Sequence, residues 1–442
     1  MRIPEKPPSD KELWKVLSEK LTDKNAVIER EPYLSIINSN YLHWDQLPMD
    51  ERFKGVDIKL LWAFVKLSRD SNSRKIKLDG IKLHYVQTPN IEKTLHDLDV
   101  RVGGKIKLES QIPSPKLNKK YLVNSLMEEA IASSQLEGAV TTRVVAKKML
   151  VERRKPRNHS EQMIFNNYLT MMHIKEYADS NRKLNLDFIK EIHKKITKDT
   201  LEKKEYEGEF RKSNEIKVFS RDGSNIIHDP PEYNKINKLL EELCDFINNI
   251  DSYEYYLHPF VVAMVLHYMV GYIHPFNDGN GRTARALFYW YLILQKYDYL
   301  EYIAVSTAIK KAPAQYARAY LYSETDDNDI TYFVIFNLRA LDAAVKSFEK
   351  YVNKTREENK KIFETVHKNP KLNFRQADIL INMSKHERAL TISEMQERYN
   401  ITYQTARVDL LKLVKQDYLK QVLRGKQFLF ILNKDKCLKI EN

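Results

Sequence analysis

A polar dodecapeptide, HPFNDGNGRTAR from His274 to Arg285, is set between two strongly apolar stretches and constrains this chain more than any other segment. The stretches flanking it, Pro259 to Tyr272 and Arg282 to Lys296, carry apolar residues at helical spacing. The junction contains Pro275, Gly279, Asn280 and Gly281, so it reads as a loop. Such a junction favours an anion. The first amides of the second helix lack intrahelical acceptors, and the helix dipole adds partial positive charge there. Glycines at 279 and 281 let a phosphate approach the backbone without meeting a β-carbon. Arg282 and Arg285 are three apart, which places them on one face of the first turn. Cations at that end oppose the dipole, an arrangement that makes sense with a polyanion between them.

The other polar residues of the segment have complementary chemistry. Asp278 is a hard oxygen donor suited to Mg²⁺ bridging phosphate oxygens. His274, with an ordinary pKa near ~6.5, can take a proton from an attacking hydroxyl. Asn280 can anchor either the phosphate or the loop. A base, a metal ligand, an amide cradle and paired arginines together describe phosphoryl or nucleotidyl transfer. GNGRTA also matches the G-x-G-x-x-G/A dinucleotide pattern, with Glu301 about 20 residues on. That reading needs a β-strand directly before Gly279, where the pattern is helical and HPFND is polar. The Walker sequence G-x-x-x-x-G-K-[ST] is absent.

Length and composition set the outer limits. A chain of 442 residues suggests about three domains. Its 43% hydrophobic and 30% charged content is that of an ordinary globular protein. Cys244 and Cys437 make neither a disulfide framework nor a zinc site, which points to a reducing compartment. The N-terminus MRIPEKPPSD lacks an apolar signal core, and the run from Val261 to Ile273 is too short to span a bilayer. The expectation is a cytoplasmic protein with no membrane partner. The net charge of +13 would suit nucleic acid or polyphosphate, but lysine is spread along the chain beside glutamate, so charge alone decides nothing.

Three regions follow from the periodicity. Residues 1–115 form a mixed N-terminal region with an apolar helix pattern at Ile58 to Leu67 and an Asp79-Gly80 hairpin signal; Pro113 and Pro115 mark its end. Residues 116–350 are mainly helical. Helix patterns cover YLVNSLMEEAIASSQLEG, which Gly138 can end as a left-handed cap, then Ser160 to Ala178, Asp187 to Thr197 and Tyr233 to Asn248. A hairpin from Ile216 to His228 interrupts them, closed off by Pro230 and Pro231. Residues 351–442 comprise a charged connector helix, three helix patterns and two short strands around Arg424-Gly425-Lys426. That order resembles a winged helix-turn-helix domain, with Tyr403, Gln404, Arg407 and Lys412 on the recognition helix. His258-Pro259-Phe260 opens a helix and His267 lies in an apolar one, so both histidines read as structural. Arg211 in GEFR reads as a support for the loop.

HPFNDGNGRTAR resembles the Fic family motif, HPF-x-[DE]-G-N-G-R-x-x-R, without a mismatch. The likeness extends over roughly Leu122 to Ala340, including GEFR and the Pro-Pro pair. The resemblance implies a mainly α fold: a Fic helical bundle with a small β-hairpin flap. It implies a protein adenylyltransferase that moves AMP from ATP to a Ser, Thr or Tyr hydroxyl of a protein substrate, or of the chain itself. His274 would be the general base and Asp278 the Mg²⁺ ligand. Gly279, Asn280, Gly281 and Arg282 would hold the α- and β-phosphates, and Arg285 the γ-phosphate. The flap would hold a target segment as an added strand. SSQLEG resembles the family's inhibitory pattern [ST]-x-x-x-E-[GN], met by Ser133, Glu137 and Gly138. In the family that glutamate pairs with the last motif arginine, here Arg285, and the position before the core matches the subgroup with an N-terminal inhibitory helix. Two further functions remain open: a DNA-binding regulator with a nucleotide-sensing Fic core, and a Fic enzyme that removes AMP. The oligomeric state is open as well, a homodimer included.

Overall fold

The structure is a computed structural model that describes residues 2–20, 30–78, 80–103, 115–220, 223–369, 371–386, 389–424 and 427–433. Asp79, Pro113, Gly425, Lys426 and Cys437, each singled out in the sequence, lie outside the described residues. The protein is mostly helical with small antiparallel hairpins. It divides into two compact units, Met1–Phe348 and Glu349–Asn442.

In the first unit the helices are α1 (Asp10–Lys20), α2 (Glu31–Asn40), α3 (Ile58–Ser71), α4 (Pro89–Val102), α5 (Pro115–Leu136), α6 (Arg143–Val151), α7 (His159–Asp179), α8 (Leu186–Thr197), α9 (Ile236–Asn248), α10 (Pro259–Ile273), α11 (Asn280–Leu294), α12 (Val305–Lys311), α13 (Pro313–Thr325) and α14 (Thr331–Lys368), whose last residues belong to the second unit. Two hairpins accompany them: β1 (Ser73–Leu78) with β2 (Ile81–Val86), and β3 (Val218–Phe219) with β4 (Ile226–His228).

The helix starts are set by side chains. Asn158 caps α7 through Glu161 N–H, and Asn185 caps α8 through Phe188 N–H. His258 caps α10, with Pro259 in its first turn, and its Nε2 lies 2.9 Å from Asp99. α5 ends where Gly138 takes a left-handed φ of +94°. Every residue from Phe260 to Val270 is buried, so α10 is the central helix and packs chiefly on α11. Each large apolar side chain removed from water there contributes roughly 1.5–3 kcal/mol. His267 lies in that core and meets the Tyr316 hydroxyl at 2.9 Å. α5, α7 and α8 pack against α11, and α7 also packs against α5 and α8.

The N-terminal segment joins this unit through a buried polar cluster. Asp326 accepts from Lys66 at 2.9 Å and from the Tyr332 hydroxyl at 2.9 Å. Arg69 donates to Tyr332 and to the Leu42 carbonyl and stacks over Tyr41, whose hydroxyl donates to Asp329 at 2.6 Å. Opposite charge holds the fully buried Asp326 carboxyl below the usual range. Residues 1–115 thus share one unit with the helices that follow, because these pairings join the two stretches.

The second unit has its own apolar core, built from Leu380, Met383, Met395, Leu410, Leu413 and Phe430 among others. Helices α15 (Phe374–His386), α16 (Ile392–Tyr399) and α17 (Tyr403–Lys415) are followed by the antiparallel pair β5 (Leu419–Arg424) and β6 (Gln427–Leu432). Among the described residues no helix is long and apolar enough to cross a membrane.

Replacing Asp326 with Ala should leave Lys66 and Arg69 buried without their carboxylate. We expect a loss of about 3–5 kcal/mol in the urea unfolding of the first unit.

Candidate active site

α10 stops because His274 adopts a left-handed conformation, φ 48° and ψ 57°, while its N–H still bonds Val270 O at 3.1 Å. The chain then turns through Pro275 to Gly279 and enters α11. Gly279 is the N-cap with φ 83° and has no side chain to cap the first amides. A β-carbon there would lie 2.6 Å from Thr197 Cγ2, so the loop passes close over α8 only because residue 279 is glycine.

Asn280 is buried, and its amide group bonds both the N–H and the carbonyl of one loop residue. Oδ1 accepts from Phe276 N–H and Nδ2 donates to Phe276 O, each at 2.9 Å. This residue, expected at the phosphates, spends its side chain on the loop. Beneath it, His193 on α8 stacks face to face on Phe276, with centroids 3.6 Å apart. His193 Nδ1 accepts from Gly208 N–H at 3.0 Å, so Nε2 carries the proton and donates to Asp278 O at 2.8 Å. Sequence reading missed His193; the only signal is its place among Ile189, Ile192 and Ile196 on the buried face of α8. Arg211 supports the loop from the other side: its Nε donates to His274 O at 3.0 Å and its N–H to Pro275 O at 2.8 Å.

His274 points its Nδ1 at Gly271 O, 3.2 Å away, which makes Nδ1 the protonated nitrogen and leaves Nε2 as an acceptor. Desolvation pulls its pKa down to about 4, so the imidazole is neutral at physiological pH. Asp278 is over half exposed, at 57%, and its Oδ1 accepts from Gly279 N–H. Among the described residues no group of three or more His, Cys, Asp or Glu could hold a metal ion. A lone exposed carboxylate beside an anion cradle suits Mg²⁺, which typically uses one or two carboxylates and completes its shell with phosphates and water.

The two arginines, three apart in the first turns of α11, have different partners. Arg282 is 1% exposed, and among the described residues its Nε and Nη2 lack hydrogen-bond partners, though Nη2 lies 3.5 Å from Asp278. Buried donors without acceptors are rare in folded proteins. Arg285 is fully engaged. Its Nε donates to Ser133 Oγ at 2.8 Å, and Nη2 donates to Ser133 O at 3.0 Å and to Glu137 Oε1 at 2.7 Å. Ser133 and Glu137 sit one turn apart on the end of α5, and Gly138 lets the chain leave the helix there. Glu137 also presses on Gly281: a β-carbon at 281 would lie 2.2 Å from its Oε1. The carboxylate therefore occupies space at the first turn of α11. Before Gly279 stands helix α10, not a strand, and Glu301 pairs with Lys175 at 2.6 Å, so the dinucleotide pattern lacks its context.

Burial lowers both His193 and His274 to about 4, from an ordinary value of 6.5. The unfolded chain therefore binds more protons than the folded one between those values. Stability should fall as pH drops from about 6.5 to about 4, by about 1.4 kcal/mol per unit for each ring. Urea unfolding at a series of pH values checks this, and His193→Phe, which keeps a ring on Phe276, should remove one share of the slope.

Residues 183–292 match the Fic/DOC family model. A protein adenylyltransferase Fic of Nematostella vectensis is 28% identical over 173 residues, covering 39% of this chain and 37% of its own length. That of Drosophila virilis is 31% identical over 151 residues, covering 34% of this chain and 28% of its own. The chain thus spans about a third of these relatives. Among solved structures, a Fic family protein from Desulfovibrio desulfuricans G20 aligns with TM-score 0.51 and 20% identity, over 79% of this chain and 98% of its own. The 134–508 fragment of Fic-1 from C. elegans aligns with TM-score 0.50 and 15% identity, over 74% of this chain and 86% of its own. Those two likenesses speak for the fold. Together with the family match and the helix-loop-helix just described, they identify a Fic/DOC domain within this chain.

Proposed function

We propose that this chain is a self-inhibited protein adenylyltransferase, transferring AMP from ATP to a hydroxyl of a protein or of itself. The observation that carries the reading is the Arg285–Glu137 pair at 2.7 Å beside an uncapped helix start. An arginine suited to phosphate accepts a carboxylate in its place. With Glu137 withdrawn, the γ-phosphate takes Arg285, and the α- and β-phosphates lie on the amides of Gly279 to Arg282, where the free donors of Arg282 find their acceptor. His274 Nε2 takes the proton of the target hydroxyl. Its oxygen attacks the α-phosphorus in line, the bond to the bridging oxygen breaks, and pyrophosphate leaves. Asp278 would hold Mg²⁺, which supplies charge neutralisation on the phosphates. The β3–β4 hairpin presents Phe219 and Ile226, both exposed, as an edge for a target segment.

The Glu137 carboxylate supports a second direction, removal of AMP. Its Oε2 would lie 3.1 Å from a β-carbon at Gly281, beside the cradle, where it can orient a water. For the second unit, the helix order and following hairpin support a winged helix-turn-helix. Tyr403, Gln404 and Arg407 are exposed on α17 while Ala406, Asp409 and Leu410 are buried, a face that fits a DNA groove. The cytoplasm is the proposed location of this protein.

With α-labelled ATP and Mg²⁺, Glu137→Gly should incorporate about ten- to a hundredfold more label than wild type, and adding His274→Ala should lower it by about 10²–10⁴. If Glu137→Gly labels neither itself nor any protein in a host extract above the His274→Ala level, the transfer reading fails. Wild type should release AMP from the self-labelled Glu137→Gly protein if removal operates. A sequence-selective, salt-dependent gel shift weakened by Arg407→Ala checks the DNA surface.

A further inference from the structure

Strand β4 ends on His228, whose side chain is 9% exposed and has both ring nitrogens engaged. Nδ1 lies 2.8 Å from Glu324 Oε2 on α13, and Nε2 lies 2.7 Å from the carbonyl of Tyr272 in the last turn of α10. A carbonyl oxygen cannot donate, and an ionised carboxylate only accepts. A neutral imidazole has one N–H and one lone pair, so it would leave one of these contacts as lone pair against lone pair. The imidazolium donates to both. Glu324 and the neighbouring Asp229 are the acidic groups that act on the ring, and its charge in turn is felt at His274. Asp229 is itself paired with Lys217 across the hairpin at 2.6 Å. The Tyr272 ring stands 5.2 Å from the imidazole.

We propose that His228, protonated on both ring nitrogens, is the positioning residue that pins the flap to the helix carrying His274 and so sets where a target segment meets the base. The proposal rests on the flap-and-base reading given above. Tyr272 precedes His274 by two residues, so one charge-assisted hydrogen bond fixes the strand relative to the reacting nitrogen. The same positive charge favours a neutral His274. Burial draws the His228 pKa down, but the Glu324 hydrogen bond and charge outweigh it, and the net shift is upward from 6.5. A raised folded pKa gives flap docking that is fully present below 6.5 and lost as pH rises through the folded value.

The direct test uses the full chain labelled with ¹⁵N-histidine. Long-range ¹H–¹⁵N spectra, with His228→Gln for assignment, should show His228 doubly protonated near neutral pH and titrating above the ordinary histidine range. Hydrogen exchange of residues 218–219 and 226–228, corrected for its intrinsic pH dependence, should accelerate roughly ten- to a hundredfold as that titration proceeds. Glu324→Gln turns one acceptor into a donor, so a neutral ring can accept at Nδ1 and still donate to Tyr272. In that variant flap protection should become independent of pH, and this arm stands even if His228 variants fail to fold. A singly protonated ring at neutral pH, or flap protection that keeps its pH dependence in Glu324→Gln, overturns the proposal. In the Glu137→Gly background, self-labelling should decline as pH rises, and adding Glu324→Gln should abolish that decline. If Glu137→Gly never labels, the transferase reading fails on its own while the spectra and exchange still decide His228.

Discussion

The loop between α10 and α11 takes its form from a single amide side chain. Asn280 bonds the N–H and the carbonyl of Phe276, four residues back, and so closes the turn on itself. With that turn closed, the Phe276 ring is delivered to His193, the Asp278 carbonyl to His193 Nε2, and the Gly279 backbone to the surface of α8. His274, at the other end, is held by Arg211 through its own carbonyl and by Gly271 through its ring. The His274 ring and the Asp278 carboxylate are thus each met by a backbone group. The loop's supports are the His193 ring and one arginine that bonds the His274 and Pro275 carbonyls.

The end of α5 lies over this rigid base. Ser133 and Glu137 take the Nε and Nη2 donors of Arg285, while Arg282 lies a turn away, 3.5 Å from Asp278. One arginine is thus held by a hydroxyl and a carboxylate from the end of α5, and its neighbour lies near a loop carboxylate. In the proposed function that difference is the inhibited state: the γ-phosphate subsite is filled from within and the inner subsite is open. The Glu137 carboxylate is 27% exposed and sits at a helix end released by a left-handed glycine. The imidazolium contacts of His228 place a second adjustable element, the flap, on the same central helix.

Much of the helical architecture was legible because its cause is local. The His258-Pro259 pair announces the start of α10, and apolar spacing places the starts of α7 and α8 one residue from their observed starts, which Asn158 and Asn185 cap. The short α6 carries exposed valines at 144, 145 and 151, which blur its period, and no helix was read there. Nor did periodicity reveal that residues 1–115 share a unit with the later helices. The pairs that join them, such as Lys66 with Asp326 and Tyr41 with Asp329, are separated by more than 250 positions.

For the site, the sequence by itself determined the inventory: a histidine, a carboxylate, two glycines and two arginines at a spacing that suits a phosphate cradle, and a Ser-x-x-x-Glu-Gly run upstream. Tertiary structure decided the division of labour. It spent Asn280 on the loop, sent Arg282 and Arg285 to different partners, set His193 beneath the loop, and made His228 face two acceptors. The reason is physical. Local spacing fixes which side chains share a helical turn, whereas a hydrogen-bond partner or a desolvated charge depends on what a distant segment brings into reach.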